Sequence, residues 1–242
     1  MSSVRGPGGA PLTRGRVLLQ AEGAQVAYRK IELRPLLYSS PPAGASVLFG
    51  GQNLSQWQSR GGQGPASWPV QAGATTVAPS TGGTPNDVRS AATFRDFQLH
   101  LEFRLPTSSA DLPEQQRGNS GVYLQGRYEV QILDSYGRGL DGRNDLGAIY
   151  GVKDAASNAS LPSEIWQSYD IDFRAARWSG GQKTENARVS VRLNGELIQD
   201  RVSVPGSTLL GDPEGPGDGP IVLQDHGDKV QFRNIWLRPA AN

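Results

Sequence analysis

The chain has 242 residues, with 24 basic and 23 acidic side chains, a net charge near +1, no cysteine, 31 glycines and 17 prolines. So even a charge balance leaves no electrostatic footprint for nucleic acid or an anionic membrane, and the missing cysteines exclude a disulfide framework, thiolate metal sites and a cysteine nucleophile together. No apolar run is long enough to span a bilayer as a helix, and the first residues lack the basic-then-apolar layout of a signal peptide.

The chain opens on a copy of its own later sequence. GRVLLQAEGAQVAYRKIELRP, from Gly15 to Pro35, aligns without a gap to GPIVLQDHGDKVQFRNIWLRP, from Gly219 to Pro239, with Gly15, Leu19, Gln20, Gly23, Val26, Arg29 and Ile31 among the identities. Each copy has an apolar run, a Gly-containing turn and an alternating run, which reads as a β-hairpin. A lone hairpin is marginal in water. Residues 15–38 are therefore expected to be the C-terminal hairpin of a preceding like domain, possessed by a neighbouring copy, with a disordered segment at 1–14 before it. SSPPAGA, within 39–46, reads as a linker because consecutive prolines stiffen the chain and cannot join a central strand. One complete domain is expected over 47–239.

Within that domain, VLFGGQNLSQW predicts a short strand and a polar turn, and SWPVQAGATTVAP predicts two short strands around Gly73. FQLHLEFRL is the clearest alternation: Phe97, Leu99, Leu101, Phe103 and Leu105 share one face, and Gln98, His100, Glu102 and Arg104 the other. SGVYLQGRYEVQILD predicts a strand pair broken at Gly126, with Tyr128, Val130 and Ile132 alternating against Glu129 and Gln131. ARVSVRLNGELIQDRVSV carries Asn194-Gly195, a strong short hairpin signal. No amphipathic helix of ordinary length is apparent. The pattern is that of an all-β sandwich.

The ordered blocks LFGGQNLSQW, FRDFQLHLEFRL, GNSGVYLQGRYEVQILD, GAIYG, VRLNGELI and GPIVLQDHGDKVQFRNIWLRP resemble the 3-keto-disaccharide hydrolase family over about Val47 to Pro239. The resemblance implies a concanavalin A-like jelly roll, occurrence in tandem, an extracellular or periplasmic setting, and action on glycosides whose C3 hydroxyl has been oxidised to a ketone. Such a ketone acidifies the C2 hydrogen, so that a base can start an elimination that expels the C1 substituent, and water then restores net hydrolysis. The site needs a base, a donor for the enolate oxygen and an acid for the leaving oxygen. The family blocks offer Glu129 as base, Asp134 as acid or orienting carboxylate, Arg104 for the developing oxyanion and His226 for proton transfer. Gln131, Asn119, Tyr150, Gln224 and Trp166 are offered as sugar contacts. The family commonly has Trp-Asn where this chain has Trp166-Gln167.

Each residue also has a plain structural reading. Glu129 and Arg104 would pair across strands, Asp134 would cap a turn, His226 would be an exposed turn residue, and His100 a surface strand residue. Trp57 and Trp68 divide between core packing and sugar stacking. GRGLDG, from Gly137 to Gly142, is not followed by a helix and does not read as a dinucleotide site. GNSGV likewise does not read as a serine-protease loop. No cofactor is expected, although Asp141, Asn144 and Asp145 together offer hard oxygen ligands for Ca2+. The alternatives to an enzyme are a non-catalytic carbohydrate-binding module and an interaction module that docks by strand addition.

Overall fold

The computed structural model describes residue 27 and residues 40–61, 64–108, 111–140, 142 and 144–240. The expected segments 1–14 and 15–38 lie outside the described residues, apart from Ala27. In chain order the strands are β1 (Ser46–Phe49), β2 (Trp57–Ser59), β3 (Val70–Gln71), β4 (Ala74–Thr76), β5 (Val88–Ser90), β6 (Phe97–Arg104), β7 (Ser120–Leu124) and β8 (Tyr128–Ile132). They continue with β9 (Gln167–Arg174), β10 (Arg177–Ser179), β11 (Gln182–Glu185), β12 (Ala187–Leu193), β13 (Glu196–Val204), β14 (Val222–Leu223) and β15 (Gln231–Pro239). One 3-10 turn, Glu114–Gln116, is the only helical element among the described residues, and no described helix is long and apolar enough to cross a membrane.

The strands form two antiparallel sheets and a small β10–β11 ribbon. The eight-stranded sheet runs β13-β12-β9-β6-β15-β4-β3, with β1 also pairing with β15; the five-stranded sheet runs β2-β5-β14-β7-β8. Alternation decides which side of each strand is buried. Phe97, Leu99, Leu101 and Phe103 of β6, Tyr169, Ile171 and Phe173 of β9, and Val189, Val191 and Leu193 of β12 join a core with Val122, Leu124, Tyr128, Val130 and Ile132 of the five-stranded sheet. Tyr128 packs on Phe173 across the sheets with ring centroids 5.6 Å apart, and the Tyr169 hydroxyl donates to Gln131 O at 2.6 Å. Two antiparallel sheets packed face to face on one core are the jelly-roll sandwich of the sequence expectation. At the β12–β13 turn, Asn194 and Gly195 have φ of 53° and 83°, the paired positive values that a tight two-residue hairpin turn demands.

The C-terminal copy of the repeat is not a hairpin. β14 lies in the five-stranded sheet between β5 and β7, whereas β15 lies in the eight-stranded sheet and pairs with β6. The Gln224–Val230 link therefore crosses from one sheet to the other, and each apolar run satisfies its backbone groups on strands far away in sequence rather than on its neighbour. Trp57 and Trp68 are core residues, not sugar platforms. Trp57 is buried and donates from Nε1 to Leu48 O at 2.8 Å, and Trp68 donates to Asn86 O at 2.8 Å and stacks on Phe232. His100 is also not a surface residue: at 1% exposure it stacks on Trp236 at 5.0 Å and meets Asp170 Oδ1 at 2.7 Å. Burial opposes its charge, but the Asp170 and Glu102 carboxylates outweigh that and raise its pKa above the ordinary value.

Candidate functional site

The outer face of the five-stranded sheet carries a cross-strand row of side chains that is polar except at Val222. Residues opposed in antiparallel strands project to the same side, and the registers place Gln58, Arg89, Val222, Tyr123 and Glu129 opposite one another in succession. Beyond β8 the isolated Val130–Ile149 bridge and the Tyr150 N–H donating to Glu129 O at 3.2 Å extend the row to Tyr150. A second row lies one pleat away. Gly121 faces Gln131, the Gln224 N–H donates to Gly121 O at 3.0 Å, and the Arg60 N–H donates to Asp87 O at 2.9 Å.

Glu129 is the centre of this face. Its carboxyl lies over Gly121, where a Cβ would collide with Oε1, so glycine is required for the carboxyl to sit there at all. Oε2 is 2.9 Å from the Tyr123 hydroxyl, which also reaches Leu209 O at 3.2 Å and accepts from Gln224 Nε2 at 3.1 Å. A phenol has one hydrogen and two lone pairs. With Glu129 ionised the hydrogen belongs to Glu129; with Glu129 protonated, the carboxyl can donate to the phenol and the phenol hydrogen can turn to Leu209 O. Burial pushes the Glu129 pKa up to about 8, with Asp87 adding to the shift and the Tyr123 hydrogen bond and Arg60 opposing it. Tyr123 is raised well above the ordinary phenol by burial and by Glu129, so it stays neutral.

Arg60 braces the assembly. It pairs with Asp87 at 3.0 Å and Asp212 at 2.9 Å, donates to Leu210 O at 2.8 Å, and lies 5.1 Å over the Tyr123 ring. Asp87 Oδ1 in turn accepts from the Asp225 N–H at 2.8 Å. With those partners Arg60 positions Tyr123 and the 208–212 loop rather than facing a ligand.

The expected site residues divide into two groups. Glu129, Gln131, Gln224 and Tyr150 share the face just described. Asn119 joins them through Gln115, whose side-chain oxygen is 3.2 Å from Asn119 Nδ2 and 3.5 Å from Gln131 Nε2. Asn119 Oδ1 and Gln224 Oε1 are buried with no hydrogen-bond partner among the described residues, an uncommon condition that a ligand hydroxyl would relieve. His226 is exposed two residues beyond Gln224, in a loop whose Asp228 carboxylate accepts the Asn119 N–H at 2.8 Å.

Arg104 and Trp166 belong elsewhere. Arg104 projects from the outer face of the eight-stranded sheet, where it donates from Nε to Gln231 Oε1 at 2.7 Å and lies 5.1 Å over the Trp166 ring, with Arg233 4.1 Å from the same ring. The two sheets, roughly 10 Å apart, separate this cluster from Glu129. Arg104 thus does not pair with Glu129. Asp134 lies past the end of β8, where it accepts from the Tyr136 N–H at 3.3 Å and Ser163 Oγ at 3.0 Å, the turn-capping geometry of its plain reading. Tyr123, Arg60 and Asp87 were not anticipated. Tyr123 had a usable signal, since pairing outward from the Gln125-Gly126 turn sets it opposite Glu129; Arg60, in a Gly- and Ser-rich stretch, had none. Asp141 lies outside the described residues, and Asp145 accepts from Ser135 Oγ at 3.2 Å. Among the described residues no group of three or more His, Asp or Glu is disposed to hold a metal ion.

Residues 44–238 match a family described as the 3-keto-alpha-glucoside-1,2-lyase-like domain. A 3-keto-disaccharide hydrolase of Bacteroides thetaiotaomicron is 23% identical over 235 residues, covering 81% of this chain and 78% of that protein. A crystal structure of a proposed glycosyl hydrolase from Parabacteroides distasonis is 37% identical, with a TM-score of 0.74 over 82% of this chain and 85% of its own. A second from the same organism, at 20% identity and a TM-score of 0.60 over 82% and 94%, repeats the fold.

Proposed function

Because the chain belongs to the 3-keto-alpha-glucoside-1,2-lyase-like family, we propose that it cleaves 3-keto-glycosides with Glu129 as the base. The observation that carries the reading is a single buried carboxyl, set over Gly121 and tied to Tyr123, whose pKa is pushed up to about 8. A carbon acid needs a strong base, and a carboxylate made more basic by burial is stronger than one in water while still ionising near neutrality. A lectin-like module has no comparable need for it.

The steps balance as an elimination followed by hydration. Glu129 takes the C2 proton, and the C–H electrons form an enolate with charge on the C3 oxygen. The enolate collapses to the ketone, a C1–C2 double bond forms and the C1–O bond breaks, its oxygen taking a proton. Water then adds: its hydroxyl bonds to C1 and its remaining proton recharges the acid, while C2 takes back the proton held by Glu129. Gln224 Oε1 and Asn119 Oδ1 accept from sugar hydroxyls, and Gln131 and Tyr150 flank the ring. Tyr123 stays neutral throughout, donating to Glu129 while that group is ionised and accepting from it once it is protonated. His226 supplies the proton to the leaving oxygen.

Incubation with a 3-keto-α-glucoside and its unoxidised parent tests this. Turnover of the ketone alone is expected, with kcat/KM rising as pH approaches about 8, where Glu129 ionises. Glu129→Gln should lower kcat by at least about a thousandfold, within the range general-base catalysis supplies together with its network. Binding of both sugars without turnover would replace the enzyme by a carbohydrate-binding module.

A further inference from the structure

The loop that covers Glu129 displays two leucines to solvent. Thr208 to Gly211 form a turn closed by the Gly211 N–H donating to Thr208 O at 3.0 Å, and it is fastened on every side. The Glu129 N–H donates to Thr208 Oγ1 at 2.9 Å, the Thr208 N–H to Arg127 O at 2.9 Å, Tyr123 to Leu209 O and Arg60 to Leu210 O. A Cβ on Gly211 would collide with Arg127 O, so the turn is pressed against the β7–β8 connection. Both leucine carbonyls are thus committed to site residues, while Leu209 and Leu210 stand 62% and 64% exposed, the most exposed large hydrophobic residues among those described.

Leu210 is also strained. Its φ is 61°, at the turn position where glycine is ordinarily found because a side chain there is unfavourable. A backbone outlier beside a site points from strain to function. A lone exposed leucine needs no explanation, but two in succession do, on a turn whose Leu209 carbonyl lies 3.2 Å from the Tyr123 hydroxyl. They place an apolar surface at the rim of a face otherwise built to accept sugar hydroxyls.

We propose that Leu209 and Leu210 form the leaving-group subsite, and that the substrate is a 3-keto-glycoside carrying an apolar, aromatic-sized aglycone in preference to a second sugar. This rests on the reading of Glu129 as the base. It divides recognition between the two halves of the substrate: Gln224, Asn119 and Gln131 take the oxidised ring, and the leucines take the group on C1.

The test uses the full chain, Leu209→Ser and Leu210→Gly, the second chosen because glycine suits the positive φ. The substrates are a 3-keto aryl α-glucoside and a 3-keto α-linked glucose disaccharide, and binding of the two unoxidised parents is measured in parallel. The wild type should favour the aryl ketone, and each variant should lower the aryl-to-disaccharide ratio of kcat/KM by about tenfold, as expected for loss of an apolar contact. No aryl preference, or an equal loss on both ketones, overturns the subsite. If neither ketone turns over, the base assignment fails. The subsite is then decided by binding: an aryl preference that the variants abolish upholds it, and equal binding of the two parents overturns it.

Discussion

Glu129→Gln separates the chemistry of the site from its effect on the fold. The native carboxyl resists ionisation: burial raises its pKa from 4.5 to about 8. Below pH 4.5 the group is neutral in both folded and unfolded chains and costs nothing. Between 4.5 and 8 the unfolded chain sheds its proton first, so stability falls as pH rises and levels off above the folded value. At 1.36 kcal/mol per pH unit the full interval amounts to roughly 5 kcal/mol, of which relaxation of the site would leave about 3–5 kcal/mol. Glutamine keeps the shape and cannot ionise, so Glu129→Gln should match the wild type near pH 4 and exceed it by about 3–5 kcal/mol at pH 9. Urea unfolding at a series of pH values reads this directly. In a domain of this size it corresponds to a rise in Tm of very roughly 6–20 °C at pH 9. Parallel pH dependences for the two proteins would show that Glu129 ionises normally, and would remove the reason for treating it as an unusually strong base.

Other outcomes follow from the same geometry. Gly121→Ala puts a methyl where Glu129 Oε1 lies, so it should lower kcat by about 100-fold or more by moving the carboxyl from its productive position; retained activity would mean the carboxyl need not sit there. Arg104→Gln, on the other outer face, should leave kcat/KM within about twofold; a large loss would return the guanidinium to the mechanism. Tyr123→Phe removes the hydroxyl that meets Glu129 at 2.9 Å. Loss of a hydrogen bond to a charged group should shift the pH profile of kcat/KM to higher pH by about one unit, and an unmoved profile would show that Tyr123 does not hold the ionised form.

The strands were readable because side-chain alternation is local. Phe97 to Leu105, Tyr128 to Ile132 and the Asn194-Gly195 turn each carry their own periodicity, and each forms the expected element. What alternation cannot convey is which of two sheets a strand joins. That ambiguity explains where Arg104 and the 219–239 segment depart from expectation. Arg104 and Glu129 each sit on the polar side of an alternating strand, but a sandwich has two polar sides, and these residues lie on opposite ones. The 219–239 segment has hairpin punctuation around Gly227, but the partners of β15 include β6, more than a hundred residues earlier. Glu129, Gln131 and Gln224 lie together because their segments are neighbours in one sheet. Arg60 did not, because nothing in its own segment records that Asp87, Asp212 and Tyr123 surround it.

The division of β14 and β15 between the sheets bears on how the molecule is made. Each occupies an interior place, β14 between β5 and β7 and β15 beside β6, and both are supplied by the final stretch of the domain. During translation β6 and β7 must wait with bare edges until that stretch leaves the ribosome, and such edges recruit other chains. Nascent chains halted before residue 219 should therefore depend on chaperones, and release of the last strands should make the domain close as one event.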